Sequence, residues 1–495
     1  MLGRTSRASL WGVAFVLTLL AGCGGSTNPD PPSPPAPAPL SAGNLNLIFV
    51  VSEDLTYAAL GDVNPITANL TDRGLQRSLL LARFLQQAIL GGKNVTAIYA
   101  IEPMTHLQTP NQYPDMVPLE TVQQLAMMNH FALSYESYPT TTAYSNPLNV
   151  SYSSSAPVPD GVAQPLLPCS NCQGLDFRDL EGDNEALLSG IVKAGTAGFY
   201  VVSAPWETVE SLMANLNLLE GYGLSLPTSY AGPNVIYAIA ITPSGGASLI
   251  RYDSGISPPW SYPVLTPGGI VSAPCLPATK HTEFHVQVTG GVNGAVVPAG
   301  VNTNETVYFV RHAEAHPTPW WEDGNYVGSG QWRALDLPYA LHGKIAPNMV
   351  LSIDPAQVTP GSTSTQGSSY SYVRTNATVL PYAIANGLPY NLAASFEMTA
   401  QNPPQLATEA STFFFFSGTF SNQKLLVGWE HDHIPPTVNA LLAAYHGGAS
   451  VGSWPGDDYD TVWTVQLDAD GNVSVDNATC EGISSPALPA APPQF

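Results

Sequence analysis

VYFVRHAEAHP, residues 307–317, runs four β-branched or aromatic residues into an arginine, a histidine and a glutamate. Val307, Tyr308, Phe309 and Val310 read as a short buried strand, because such side chains fit a pleated and covered surface. The polar cluster begins where the strand should stop. In open α/β sheets, ligands collect beyond the carboxyl ends of the strands, so Arg311 and His312 stand where such a fold presents reactive groups.

Working outward, the same pattern occurs earlier in weaker form. LNLIFVVSED, beginning at Leu45, aligns Phe49-Val50 with Phe309-Val310. A glycine-led helical segment follows each strand and matches Gly74 with Gly330 and Arg77 with Arg333. Each helix leads to a strand, TAIYAIEP and NMVLSIDP, with Glu102-Pro103 opposite Asp354-Pro355. FYVVSAP (199–205) then corresponds to KLLVGWEH (424–431), and residues 235–253 and 461–477 each read as a hairpin with a glycine-containing turn. Strands alternating with helices predict a mostly parallel α/β sheet in each half. The expected units are a first domain over 44–255, a linker over 256–302 that begins Pro/Gly/Ser-rich and ends in a stretch readable as a strand pair, HTEFHVQVTGGVNGAVVPAGV (281–301), a second domain over 303–482 and a tail over 483–495.

The 495 residues are 44% hydrophobic and carry a formal charge of −22 with only 15 Lys and Arg. That is enough chain for more than one core. Such a charge balance argues against nucleic-acid binding, which needs concentrated positive charge. At the N-terminus, Arg4 and Arg7 precede an apolar run from Leu10 to Leu20, shorter than a membrane span, and then Leu20-Ala21-Gly22-Cys23. This tetrapeptide resembles a bacterial lipobox. The resemblance implies a signal peptide over 1–22, lipidation of Cys23 and, with Gly24 in place of an aspartate, an outer-membrane destination facing the periplasm or the surface. The proline-rich stretch from Ser26 to Pro39 reads as a semi-extended tether, placing the tether with the lipidated cysteine over 23–43.

Four further cysteines, Cys169, Cys172, Cys275 and Cys480, suit two disulfides in an oxidising compartment. The expected pairs are Cys169 with Cys172 and Cys275 with Cys480, a four-cysteine zinc site being the other reading.

Arg311-His312-Ala313-Glu314, a later arginine in SYVRTNAT (Arg374) and a histidine after a strand in LLVGWEHDHI (His431) together resemble the histidine phosphatase, or phosphoglycerate-mutase-like, superfamily. The resemblance covers most of residues 303–480 and lies in the order of the elements. It implies two α/β sandwich domains, a phosphomonoesterase needing no cofactor or metal, and a phosphorylated small-molecule substrate. His312 would be the nucleophile, Arg311 and Arg374 the planar forks that hold phosphate oxygens, and His431 a donor to the phosphoryl group. Asp432 is the first choice for the acid that protonates the leaving group, with Glu314 and Glu430 as alternatives. Two other readings compete: metal ligation by the pairs His312/His316 and His431/His433, and a noncatalytic surface-anchored binding protein. In the first half, Val51 and Ser52 stand where Arg311 and His312 are, His106 lies near the place of the second arginine, and SAPWE has no histidine. That half reads as a degenerate copy with a neutral pocket.

Overall fold

The computed structural model describes residues 37–57, 61–129, 131–135, 138–143, 148–150, 175–177, 182–265, 282–315, 323–356, 358–359, 370–393 and 403–495. Cys23, Cys169, Cys172, Cys275, His316, the signal segment and most of the tether lie outside them. Cys480 is disulfide-bonded, to a partner also outside the described residues. No helix among the described residues is long and apolar enough to cross a membrane.

The fold is mixed α/β. In the first half the strands of the main sheet are β1 (Leu45–Val51), β2 (Ala97–Ala100), β3 (Leu148–Asn149), β4 (Gly198–Ala204), β5 (Val235–Ile241) and β6 (Ala247–Asp253), in the order β6-β5-β1-β4-β2-β3. The second half has β7 (His285–Val288), β8 (Glu305–Arg311), β9 (Met349–Ile353), β10 (Tyr390–Ala393), β11 (Lys424–Trp429), β12 (Thr461–Leu467) and β13 (Val473–Cys480), in the order β7-β13-β12-β8-β11-β9-β10. Without β7, the two orders are the same. The directions also agree: β1 is parallel to β4 and antiparallel to β5, as β8 is to β11 and β12. Strand β7 lies in the stretch 281–301 read as a strand pair, and it adds to the second sheet by pairing antiparallel with β13.

Register fixes the equivalences residue by residue. Phe49 pairs with Val202 and Phe309 with Val427, and the Ser52 amide donates to Ala204 O as the His312 amide does to Trp429 O. Trp206 therefore occupies the place of His431. Central β1 is buried along its whole length, and Val307, Phe309 and Val310 in β8 are fully buried. Each such side chain contributes roughly 1.5–3 kcal/mol.

Eight helices among the described residues flank the sheets: α1 (Asp72–Phe84), α2 (Val117–Met128), α3 (Asp183–Ala194), α4 (Trp206–Leu219), α5 (Gly328–Ala340), α6 (Arg374–Asn386), α7 (Pro403–Phe415) and α8 (Ile434–Ala444). Thr71 caps α1 by accepting from the Gly74 amide, with Asp72 in the first turn and Arg83 in the last to suit the helix dipole. Gly387 closes α6 at φ +60°, a left-handed cap that glycine adopts without strain.

Residues 37–495 form one compact unit. The halves share a core in which Leu75, Leu79 and Val117 pack with Trp332, Leu335 and Val379. Helix α1 touches α6, while Gln331 of α5 donates to Gln124 of α2, the crosswise pattern of an approximate twofold. Glu102 lies close enough to its equivalent Asp354 for the two charges to be felt, as positions near such an axis should. The expected tail is a bridge: Ala491 O accepts from Trp332 Nε1 (2.7 Å) and Pro493 O from Gln124 Nε2 (3.1 Å).

The start of α1 and of α5 is braced in the same way. The Thr71 amide donates to Asp62 O and the Val327 amide to Glu314 O, both at 2.9 Å. A Cβ on Gly74 would run into Asp62 O, and one on Gly330 into Glu314 O. Because both obstacles are backbone, Gly74→Ala and Gly330→Ala are each expected to lower stability by roughly 1–3 kcal/mol, measured by urea unfolding.

Candidate active site

Arg311 ends β8, and His312 and Glu314 follow it. Arg374 opens α6, and His431 follows β11, the parallel neighbour of β8. Parallel strands end on the same side, so Arg311, His312 and His431 share one edge of the sheet.

His312 is 3% exposed, and its Nδ1 lies 2.8 Å from Ala313 O. A carbonyl only accepts, so Nδ1 carries the proton and a neutral ring keeps its lone pair on Nε2. The Ala313 amide donates to Thr378 Oγ1 (2.8 Å), fixing the carbonyl that orients the ring. Arg311, 4% exposed, donates through Nη1 to Gly456 O (2.6 Å) and through Nη2 to the Tyr459 hydroxyl (3.2 Å). Its guanidinium lies 3.8 Å from the Tyr459 ring centre, and its buried Nε has no hydrogen-bond partner. Arg374, 3% exposed, lies 4.3 Å from the ring centre of Tyr372. Tyr459 and Tyr372 also stand edge-on to His312, with centroids 6.2 and 6.4 Å away. Sequence reading missed both tyrosines, because nothing in their local spacing marks them.

The electrostatics tie these groups together. Burial pulls the Arg311 guanidinium down most, and the nearby Arg374 charge adds to this. Burial, then the Arg311 charge, holds the His431 imidazole below its ordinary value, against Asp432 and Glu430. In Arg311→Gln, His431 is therefore expected to titrate at higher pH, read from its ring resonances by NMR. An unmoved resonance would mean that the two groups are not coupled.

The three carboxylates separate. Glu314 is held by an arginine: both its oxygens accept from Arg333 Nε at 3.0 Å, and Arg333 Nη2 adds a bond of 2.8 Å. That arginine is fully buried and also reaches Glu481. Glu430 Oε2 lies 2.9 Å from His433 Nδ1, which leaves it less suited to the role. Asp432 is 79% exposed at its side chain, with Oδ1 3.4 Å from His431 Nε2.

The equivalent edge of the first half is acidic, which corrects the expectation of a neutral pocket. Val51, Ser52 and Trp206 take the places of Arg311, His312 and His431, and Val117, first residue of α2, takes that of Arg374. Asp54 and Asp115 are buried there, and His106 Nε2 lies 2.6 Å from Asp54 Oδ2. Burial pushes Asp115 up to about 7, partly countered by His106.

No protein-family model and no curated protein matches the chain. Among solved structures it is similar to a protein assigned as the phosphohistidine phosphatase SixA of Agrobacterium tumefaciens, at 17% identity and TM-score 0.20, covering 34% of this chain and 93% of that one. A second SixA assignment, from Nakamurella multipartitia, aligns at 15% identity and TM-score 0.21, covering 40% and 96%. A phosphoserine phosphatase of Entamoeba histolytica, crystallised with 3-phosphoglyceric acid, aligns at 16% and TM-score 0.23, covering 42% and 97%.

Proposed function

We propose that the second half is a metal-independent phosphomonoester hydrolase acting through a phosphohistidine on His312, held at the cell envelope by lipidated Cys23. The observation that carries this reading is the 2.8 Å contact of His312 Nδ1 with Ala313 O, which makes Nε2 the basic nitrogen, in a site that also contains Arg311, Arg374 and His431. In this scheme Nε2 attacks phosphorus, and the P–O bond to the leaving group breaks with its electron pair on oxygen. Asp432 delivers the proton. Water then attacks phosphorus, giving a proton back to the Asp432 carboxylate, and the P–N bond breaks with its electron pair on Nε2, releasing inorganic phosphate. The two guanidinium groups hold the nonbridging oxygens, where charge grows in the transition state. Lipid anchoring and a phosphorylated small molecule as substrate belong to the same proposal.

The test is hydrolysis of an aryl phosphate by the full chain in EDTA, with acid-labile, alkali-stable phosphate trapped on the protein by rapid quench. Turnover that survives the chelator, with a trapped phosphoenzyme, is the expected result. Turnover abolished by EDTA would overturn the metal-independent step, and no turnover on a panel of phosphomonoesters from acidic to neutral pH would move the assignment to a binding protein.

A further inference from the structure

We infer that Asp54, His106 and Asp115 form a binding site for one divalent first-row cation, Zn2+ or Mn2+, at the strand ends of the first half. The donor atoms all lie within 4.8 Å of one another. His106 Nε2 is 2.6 Å from Asp54 Oδ2 and 3.9 Å from Asp115 Oδ2. Metal–ligand bonds of about 2.0–2.2 Å span such a cluster after small shifts, with coordination replacing the Asp54–His106 hydrogen bond.

The pointer to a ligand is Asp115. It is fully buried, its Oδ1 accepts from the Val117 amide (3.2 Å), and its Oδ2 faces the cluster without a hydrogen-bond partner. The Gln108 side chain approaches the same carboxyl and favours its charged form, though more weakly than burial opposes it. A buried carboxylate oxygen left this way is costly unless a cation meets it. Asp54 is oriented alike, with Oδ1 on the Thr56 amide (2.7 Å) and Oδ2 toward His106. Phe177 covers the imidazole, ring centres 3.8 Å apart.

The duplication explains why these oxygens face one another. By position after the strand, Asp54 is equivalent to Glu314, whose oxygens are bound by Arg333. In the first half that brace comes from Asp62, which pairs with Arg77 at 2.6 Å, so Asp54 faces His106 instead. Two carboxylates and a neutral imidazole balance a doubly charged ion, and an N/O donor set of this kind suits Zn2+ or Mn2+. Three protein ligands leave positions for water or an anionic oxygen.

The test is calorimetric titration of ZnCl2 and of MnCl2 into the chelator-stripped full chain, comparing the parent with Asp115→Asn, His106→Gln and the exposed-loop control Asp470→Asn. One equivalent should bind to the parent and the control with matching affinity. Both site variants should bind at least about tenfold more weakly, since even an outer partner of a metal ligand is worth that much. The melting temperature should rise with the cation in the parent and not in the variants. Absence of saturable binding by either ion, or binding unaltered in both variants, overturns the proposal. Should Asp115→Asn fail to fold, His106→Gln alone decides, and none of these readouts depends on hydrolytic activity.

Discussion

Replacing His312 by alanine is expected to lower phosphomonoester turnover by about a thousandfold or more and to abolish the trapped phosphoenzyme. The substitution removes the atom that forms the P–N bond, and a neighbouring guanidinium cannot substitute for a nucleophile. Binding should survive better than turnover, because Arg311 and Arg374 still supply two fixed positive charges. Inorganic phosphate is thus expected to inhibit the parent and to bind the variant with similar affinity. His431→Ala should lose less, about a hundredfold to a thousandfold, as expected for one lost donor at the developing charge. Rate and trapping decide together: if His312→Ala keeps its rate, the nucleophile is elsewhere, and the whole scheme built on the Ala313-bound imidazole fails.

The second large effect concerns stability. Arg333→Met is expected to destabilise the chain by roughly 3–5 kcal/mol in urea unfolding, because it leaves Glu314 and Glu481 as buried carboxylates without their cation. Arg333 also donates to Ile483 O (3.1 Å) and Ser485 Oγ (3.0 Å), so the loss reaches the C-terminal segment. Burial pushes Glu481 up toward its neutral form, and Arg333 is the main influence opposing this. Adding Glu314→Gln and Glu481→Gln to the Met variant should recover part of the loss, since the unpaired charges are then gone. The matching change Arg77→Met should cost less, because Asp62 keeps Arg73 at 2.6 Å. Equal losses at both sites would mean that the buried charge at Arg333 is not what the helix needs.

Much of the fold was legible in local pattern. Phe49-Val50 and Phe309-Val310 lie in equivalent central strands, and the glycine and arginine matched between the halves occupy equivalent helix positions. These features are written in contiguous residues. The role of Glu314 was not legible, because RHAE does not reveal which way the glutamate turns, and its arginine sits 19 residues on. Glu481, the other partner of that arginine, is 148 residues away in sequence. Tyr459 escaped for the same reason. In the first half, Asp54 stands where Glu314 does after its strand, yet three-dimensional contacts give the brace to Asp62, and the sequence pattern carries no sign of the acidic pocket that results. The strand at 285–288 was legible in part: HTEFHVQV reads as one member of a strand pair ahead of the second domain, while the alternating exposure of an edge strand leaves its bounds open.

The crosswise packing of α1 with α6 and of α2 with α5 is the geometry of a symmetric dimer closed inside one polypeptide. In a true homodimer every substitution strikes both copies at once, so neither site can change chemistry without the other. Two halves of like topology in one chain are free of that constraint. One strand end can keep its arginines and histidines while the other accumulates carboxylates, and both continue to be held in shape by the same helix core. The acidic edge is then the half of the pair set at liberty to acquire a ligand of opposite charge.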